Sequence, residues 1–466
     1  MKENHNPKKQ AVGPVKQRYV VLDALRGFAL LGIILANFPE FSLWTFQSPE
    51  ALEQLPAPAI DRALHFLLYT FVDGKFYTIF SILFGIGFSI IIGNIMRRSP
   101  LGPDGQPQTR RGFLIFYRRM TVLALIGLCH LLLVWSGDIL LLYALMGMLL
   151  PLFWGCSDRT LLRWAAFLLV LPIGIEAARA AVGWSLAEVP YRLWWDTCAR
   201  YDITEENFGT WLRDADTYRG VSQFLMQGAW ERLWEFVEGN RYFKVLGLFL
   251  IGMYIGRRRL YAAVTPNGGN SSQTLGESGR TGTSGELREL RELRELREPG
   301  ELVNPTPSAT LPLLRRIVGW GSAVGLPLSI AYAWSATSGH PLGNIGHSLL
   351  YTLSVYPLGL AYIAAFALLF RRTATAPLWT MLAFPGRMAL TNYLSQSLFG
   401  LLLFYGIGFA LGANVSLLAT ELLALSVFLC QILLSALWLH FCQFGPLEWI
   451  WRMLTYQRPM PLLKEK

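Results

Sequence analysis

The chain has 466 residues, 53% of them hydrophobic and only 15% charged, with a formal net charge of +10. A soluble domain carries about 25% charged residues, so a water-soluble globule is excluded. The positive surplus lies in short segments beside apolar blocks, which points to membrane topology and anionic lipid headgroups rather than nucleic acid.

Residues 1–18 are a polar tail whose Lys8, Lys9, Lys16 and Arg18 place the N-terminus in the cytoplasm. The first apolar block, about 19–38, contains Asp23 and Arg26 and has no small-x-small cleavage site after it. It reads as a retained helix running outward. Residues 39–60 carry only acidic charges and suit an external loop, and Leu64–Val72 is too short to span and reads as interfacial. A second span, about 75–95, returns to Arg97 and Arg98, and the loop 97–119 with six Arg and one Asp is cytoplasmic.

A third span (about 117–135) and a fourth (about 138–155) are joined by a tight outer turn at Ser136, Gly137 and Asp138. The fifth covers about 161–183. Residues 184–240, with ten acids against five bases, suit an external segment with structure of its own. The sixth span, about 241–256, ends inside at Arg257, Arg258 and Arg259. Residues 257–316 then read as a cytoplasmic linker with a Glu-Leu-Arg repeat over 286–298. A period of three drifts around a 3.6-residue helix and makes no stable apolar stripe. Four more spans follow within 317–452, at about 317–335, 346–370, 387–411 and 416–441, with a basic tail at 453–466. The expected fold is all-α: a polytopic bundle of about ten transmembrane helices, six in 19–256 and four after the linker, with both termini inside.

Ionisable and polar groups inside such spans are costly and must find partners, so each is a candidate site. Asp23 and Arg26 share one face of the first helix near its cytoplasmic end. They form either a docking ion pair or a cationic site for a phosphate-bearing cofactor. Asn37 sits near the outer end of the same helix. His130 lies deep in the third span with Asp138 eight residues on, close to one helical face; a histidine titrates near neutrality and can act as a general base, or it can simply pack through hydrogen bonds. Arg387 stands at the cytoplasmic mouth of the ninth span, and Thr391, Asn392, Ser395 and Gln396 behind it should line the bundle interior. The five cysteines lack metal-ligand or CxxC spacing, and no metal ligand cluster, phosphate loop or nucleic-acid module is present.

Five segments carry a family resemblance: Leu22–Asn37 (LDALRGFALLGIILAN), Lys75–Gly85 (KFYTIFSILFG), His130–Leu140 (HLLLVWSGDIL), Gly386–Gln396 (GRMALTNYLSQ) and Gly445–Arg452 (GPLEWIWR). In this order they resemble the YeiB-like proteins, domain of unknown function 418, over nearly the full length, with the Glu-Leu-Arg linker as an insertion. The Asp-x-x-Arg-Gly start and later Asn of the first helix resemble the heparan-alpha-glucosaminide N-acetyltransferase family and the wider transmembrane acyltransferase superfamily. That resemblance implies acyl-CoA bound from the cytoplasm and an acceptor, glycan or lipid, acylated at the far face of a bacterial inner membrane. In those sugar N-acetyltransferases a histidine of the outer loop after the first helix is implicated in catalysis; here 38–60 contain none, and the first is His65.

In the resulting reading Arg26 and Arg387, with Asp23 and Asn392, hold acyl-CoA. His130 supported by Asp138 is the base, and Asn37 steadies the oxyanion. The outer-end histidines His65, His340 and His347 are next in line. Membrane lipid and a second copy of the chain as homodimer are further candidate partners. The rival reading is a transporter or lipid-handling protein without covalent chemistry; no inverted repeat or matched pair of Pro-broken helices supports it.

Overall fold

A computed structural model describes residues 19–98, 109–265 and 307–464. The Glu-Leu-Arg repeat lies outside the described residues. Among these residues the chain is helical throughout, apart from an isolated antiparallel bridge between Cys442 and Leu463. In chain order the helices are α1 (Val20–Phe41), α2 (Pro49–Glu53), α3 (Pro58–Phe71), α4 (Lys75–Arg98), α5 (Thr109–Leu133), α6 (Leu140–Gly147), α7 (Asp158–Val182), α8 (Glu188–Arg200), α9 (Glu205–Phe208), α10 (Trp211–Asp214), α11 (Tyr218–Glu238) and α12 (Arg241–Arg257). After the linker come α13 (Pro307–Thr337), α14 (Gly343–Arg372), α15 (Pro377–Arg387), α16 (Ala389–Phe404), α17 (Leu417–Phe441) and α18 (Pro446–Tyr456).

Seven helical stretches among the described residues are long and apolar enough to cross a membrane: α1, the α3–α4 stretch Pro58–Met96, α5, α7, α13, α14 and α17. Ten spans were expected; of the other three, two are shorter than the sequence suggests and one has its expected length. The block at 138–155 forms only α6 and a 3-10 turn over Leu150–Phe153, because Pro151 at its start cannot continue the ladder. The block at 241–256 is the 17-residue α12. The block at 387–411 splits: α15 ends at Arg387, Met388 leaves helical geometry at φ −116 and ψ 39, and α16 stops at Phe404, where Tyr405 turns extended. There the Gly406 N–H donates to the Leu212 carbonyl of α10 at 2.8 Å, which ties the chain away from the helix axis. In the other direction, α13 begins ten residues before its expected start, and the segment expected at 64–72 is the longer α3, turned into α4 at Gly74 with φ +72.

Helix α1 is the centre of the bundle, packed by α4, α15, α16 and α17, while α4 is held between α12 and α14. Two of these contacts bring backbones together through reciprocal glycines. A Cβ at Gly27 would overlap the Leu382 carbonyl on α15, and one at Gly386 would overlap the Asp23 carbonyl on α1. Gly85 stands in the same relation to Phe249 on α12, and Gly252 to Ile82 on α4. Where lipid supplies no hydrophobic driving force, such close approach lets dispersion contacts hold helices together.

Two helix N-termini are capped by carboxylates, one from a distant element and one from the preceding turn. Asp61 accepts from the Leu417 and Leu418 N–H groups of α17 at 2.9 and 3.0 Å. Asp138 accepts from the Leu141 N–H of α6 at 2.8 Å. Each satisfies donors that the helix itself leaves unpaired and opposes the positive end of its dipole.

Candidate functional site

Between these helices runs a cavity of about 860 Å³. Its wall includes Arg26 of α1, Arg119 of α5, Arg387 of α15 and Arg452 of α18 at the end that the arginine distribution assigns to the cytoplasm. Asp73, Lys244, Tyr332, His340, His347 and Tyr351 line it at the opposite end, together with Glu235 of α11. Asn37 and Glu40 of α1 belong to the same wall.

At the inner mouth the arginines are fixed from several sides. The Arg26 Nη1 donates to Asp23 Oδ1 at 2.9 Å, with the guanidinium still 29% exposed. Trp451 of α18 donates from Nε1 to the Arg119 carbonyl at 2.9 Å, and the Arg119 guanidinium lies 3.5 Å from the centre of that indole. Glu448, one turn earlier on α18, caps α16: Oε1 accepts from the Leu390 and Thr391 N–H groups at 2.7 and 3.2 Å, and Oε2 from the Thr391 hydroxyl at 2.6 Å. Burial pushes the Glu448 carboxyl up from its ordinary value, and the three hydrogen bonds offset only part of that shift. α18 thus closes the inner end and carries two wall residues, Glu448 and Arg452, with it.

The outer end mixes both signs of charge. The Tyr332 hydroxyl donates to Asp73 Oδ2 at 2.6 Å, and Lys244 Nζ sits 4.1 Å over the Tyr351 ring. His340 and His347 stack edge to face with centroids 4.2 Å apart, and the buried His347 Nδ1 has no hydrogen-bond partner among the described residues. On α11, Arg232 donates to the Ser136 carbonyl at 2.9 Å and pairs with Glu235. Burial opposes the Arg232 charge, but the carboxylates of Glu235 and Glu40 outweigh it and hold the guanidinium firmly protonated. For Glu235, burial is likewise overcome, by Arg232 and Arg241, and its carboxyl titrates below the usual range. Its neighbour Glu231 is pushed well up by burial and by repulsion from Glu235 and Glu40, which outweigh Arg232.

The structure does bring His130 and Asp138 together, and it adds a third group. His130 Nδ1 lies 2.9 Å from Asp138 Oδ1, and Nε2 lies 2.9 Å from the Ser397 hydroxyl on α16. Both side chains of the His–Asp pair are fully buried. None of the three lines the cavity. Gly137, Ile139, Leu140 and Tyr393 do, and the Tyr393 ring stands 5.6 Å from the imidazole.

Of the other sequence candidates, Arg26, Arg387 and Asn37 reach the cavity wall, and Asp23 acts on it through Arg26. Asn392 does not, which corrects its assignment to a cofactor. Its Nδ2 donates to the Pro385 carbonyl at 3.2 Å and the Ser435 hydroxyl at 2.9 Å, because the i, i+4 stripe Asn392–Gln396 faces α17. There Gln396 Nε2 donates to Gln431 Oε1 at 3.0 Å, and Gln431 Nε2 to Ser395 at 2.7 Å. The polar residues of this helix face the interior as expected, but protein groups satisfy most of them. Arg119, Lys244, Glu448 and Arg452 were missed as site residues. Arg119 looked topogenic, whereas Glu448 and Arg452 lay inside the resembling segment Gly445–Arg452 and could have been found there.

Residues 304–458 match the family described as a protein of unknown function (DUF418). Over 450 residues, 97% of each chain, the sequence is 29% identical to the uncharacterized 39.9 kDa protein in the amylase 3′ region of Bacillus acidopullulyticus. It is 27% identical to the uncharacterized protein YxaH of Bacillus subtilis, over 96% of this chain and 97% of the relative. It is also 27% identical to the uncharacterized protein YeiB of Escherichia coli K12, over 96% and 99%. No solved structure matches the chain.

Proposed function

We propose that this chain, which belongs to the YeiB-like DUF418 family, is a membrane acyltransferase that moves an acyl group from cytoplasmic acyl-CoA to a hydroxyl or amine of a glycan or lipid at the outer face. In this reading the membrane is the bacterial cytoplasmic membrane, which the bacterial source of the relatives supports. The observation that carries the reading is the single cavity with four arginines at its inner end and histidines, tyrosines and a lysine at its outer end. Arginine pairs with phosphate oxygens in forked geometry, so the inner mouth suits the polyphosphate of coenzyme A.

The acceptor oxygen or nitrogen attacks the thioester carbonyl. A carbon–oxygen or carbon–nitrogen bond forms, the carbon–sulfur bond breaks, and the proton lost by the acceptor goes to the departing thiolate by way of a base. Because His130 does not line the cavity, the base in this reading is His347, which does, and whose Nδ1 has no partner among the described residues. Asn37 donates to the oxyanion. His130 and Asp138 position the wall by tying α5 and the α6 turn to α16.

Binding of octanoyl-CoA to protein in lipid nanodiscs tests the donor site. Arg26→Ala and Arg387→Ala should each weaken binding at least about tenfold, the range of a lost charge-assisted hydrogen bond. Arg372→Ala, in a topogenic cluster off the cavity wall, should change nothing. Equal losses at all three, or a tightly bound solute without any CoA binding, would replace this reading by a transporter.

A further inference from the structure

The middle of the cavity is neither polar nor shared evenly among the helices. On α4 the wall residues Phe80, Phe84, Gly87 and Ile91 recur at i, i+4, i+7 and i+11, one helical face. On α5, Phe116, Met120 and Leu123 do the same, and Arg119 belongs to that stripe, next to Met120. An apolar chamber therefore begins directly beside an inner-mouth guanidinium. Gly87 opens it further: a Cβ there would meet no atom within 4 Å, whereas a Cβ at Gly85, two residues earlier, would strike the α12 backbone. Close helix packing explains Gly85. It does not explain Gly87, where the missing side chain leaves space only to the cavity.

An anionic site continuous with an apolar chamber fits an amphiphile, charged at one end and aliphatic at the other. We propose that the α4–α5 chamber holds the hydrocarbon chain of the donor, so that the substrate is a medium- or long-chain acyl-CoA and Gly87 sets the chain length accepted. The inference rests on the acyl-CoA reading of the inner mouth. A two-carbon acyl group would leave the chamber without a ligand, whereas each methylene buried in it adds affinity by about fourfold.

The test is equilibrium binding of coenzyme A, acetyl-CoA, hexanoyl-CoA and decanoyl-CoA to the full chain in nanodiscs, with empty nanodiscs subtracted. Affinity should climb by up to about fourfold per methylene from acetyl to decanoyl. Gly87→Phe should remove most of that gain and leave acetyl-CoA binding unchanged, which also reports an intact fold; Gly87→Ala should behave as wild type. Should Gly87→Phe fail to fold, Ile91→Trp fills the same chamber from the next turn. Equal affinity for coenzyme A, acetyl-CoA and decanoyl-CoA would overturn the chamber while leaving the donor site standing. Loss of all CoA binding would sink both. If decanoyl-lysophosphatidylglycerol bound with the same Gly87 dependence while no CoA ester did, the chamber would belong to a lipid and the donor assignment would fall.

Discussion

The imidazole of His130 on α5 is held between Asp138 at Nδ1 and the Ser397 hydroxyl, 267 residues later in the chain, at Nε2, both at 2.9 Å. Order and spacing of the three groups match a nucleophile–base–carboxylate relay, but all are buried and none lines the cavity. The arrangement joins two halves of the bundle across the linker, and that explains the burial.

His130→Ala should therefore act on stability first. It strands the Asp138 carboxylate and the Ser397 hydroxyl without their shared partner, at a cost of about 3 kcal/mol, read as a lower melting temperature and a poorer folded yield. His130→Gln keeps two hydrogen-bonding ends and should recover much of both stability and turnover. A Gln variant that folds and binds acyl-CoA normally yet is inactive would return the base to His130.

His347→Gln should fold, bind acyl-CoA with unchanged affinity, and lose at least about a hundredfold in turnover, the usual contribution of a general base. Release of free coenzyme A thiol with acceptor extract present gives the rate. Unchanged turnover would move the base to His340 or out of the outer end altogether.

Gly386→Ala and Gly252→Ala should each destabilise by at least about 1–3 kcal/mol, since the new methyl meets backbone of a neighbouring helix and cannot be accommodated by a side-chain rotation. Gly174→Ala, also in an apolar helix but with nothing within 4 Å, is the control and should be neutral or slightly stabilising. Detergent-extracted folded yield, measured by size exclusion, separates the three.

Glu448 gives the inner end a pH dependence. Its carboxyl is raised in the folded protein by burial, so the folded chain holds this proton more tightly than the unfolded one. The stability it contributes is full below its ordinary value of 4.5 and is lost as pH rises through the folded value. Glu448→Gln, neutral throughout, should flatten the fall of melting temperature with pH across that window. A profile as steep as wild type would assign the pH dependence to other groups.

Much of this protein is a local property of its sequence. A block of about 20 apolar residues spans a bilayer wherever it occurs, so the long spans are read without any contact being known. The two shortened spans fell where the apolar run is local but the helix is not: at Pro151, at Met388 and at Tyr405, chain turns and a tie to Leu212 end helices that composition alone would continue. His130 and Asp138 were legible as a pair because eight residues return to nearly the same helical face. That Ser397 completes the group, and that the group stays off the cavity wall, depends on how α5 and α16 pack. The same is true of the inner mouth. Arg26, Arg119, Arg387 and Arg452 come from four helices, and only the reciprocal glycines of α1 and α15 and the docking of α18 through Trp451 bring them to one opening. Hydrophobicity acts on each segment by itself, so the sequence determined which segments enter the membrane. Which side chains meet there is set by packing between segments, and only the tertiary structure decided it.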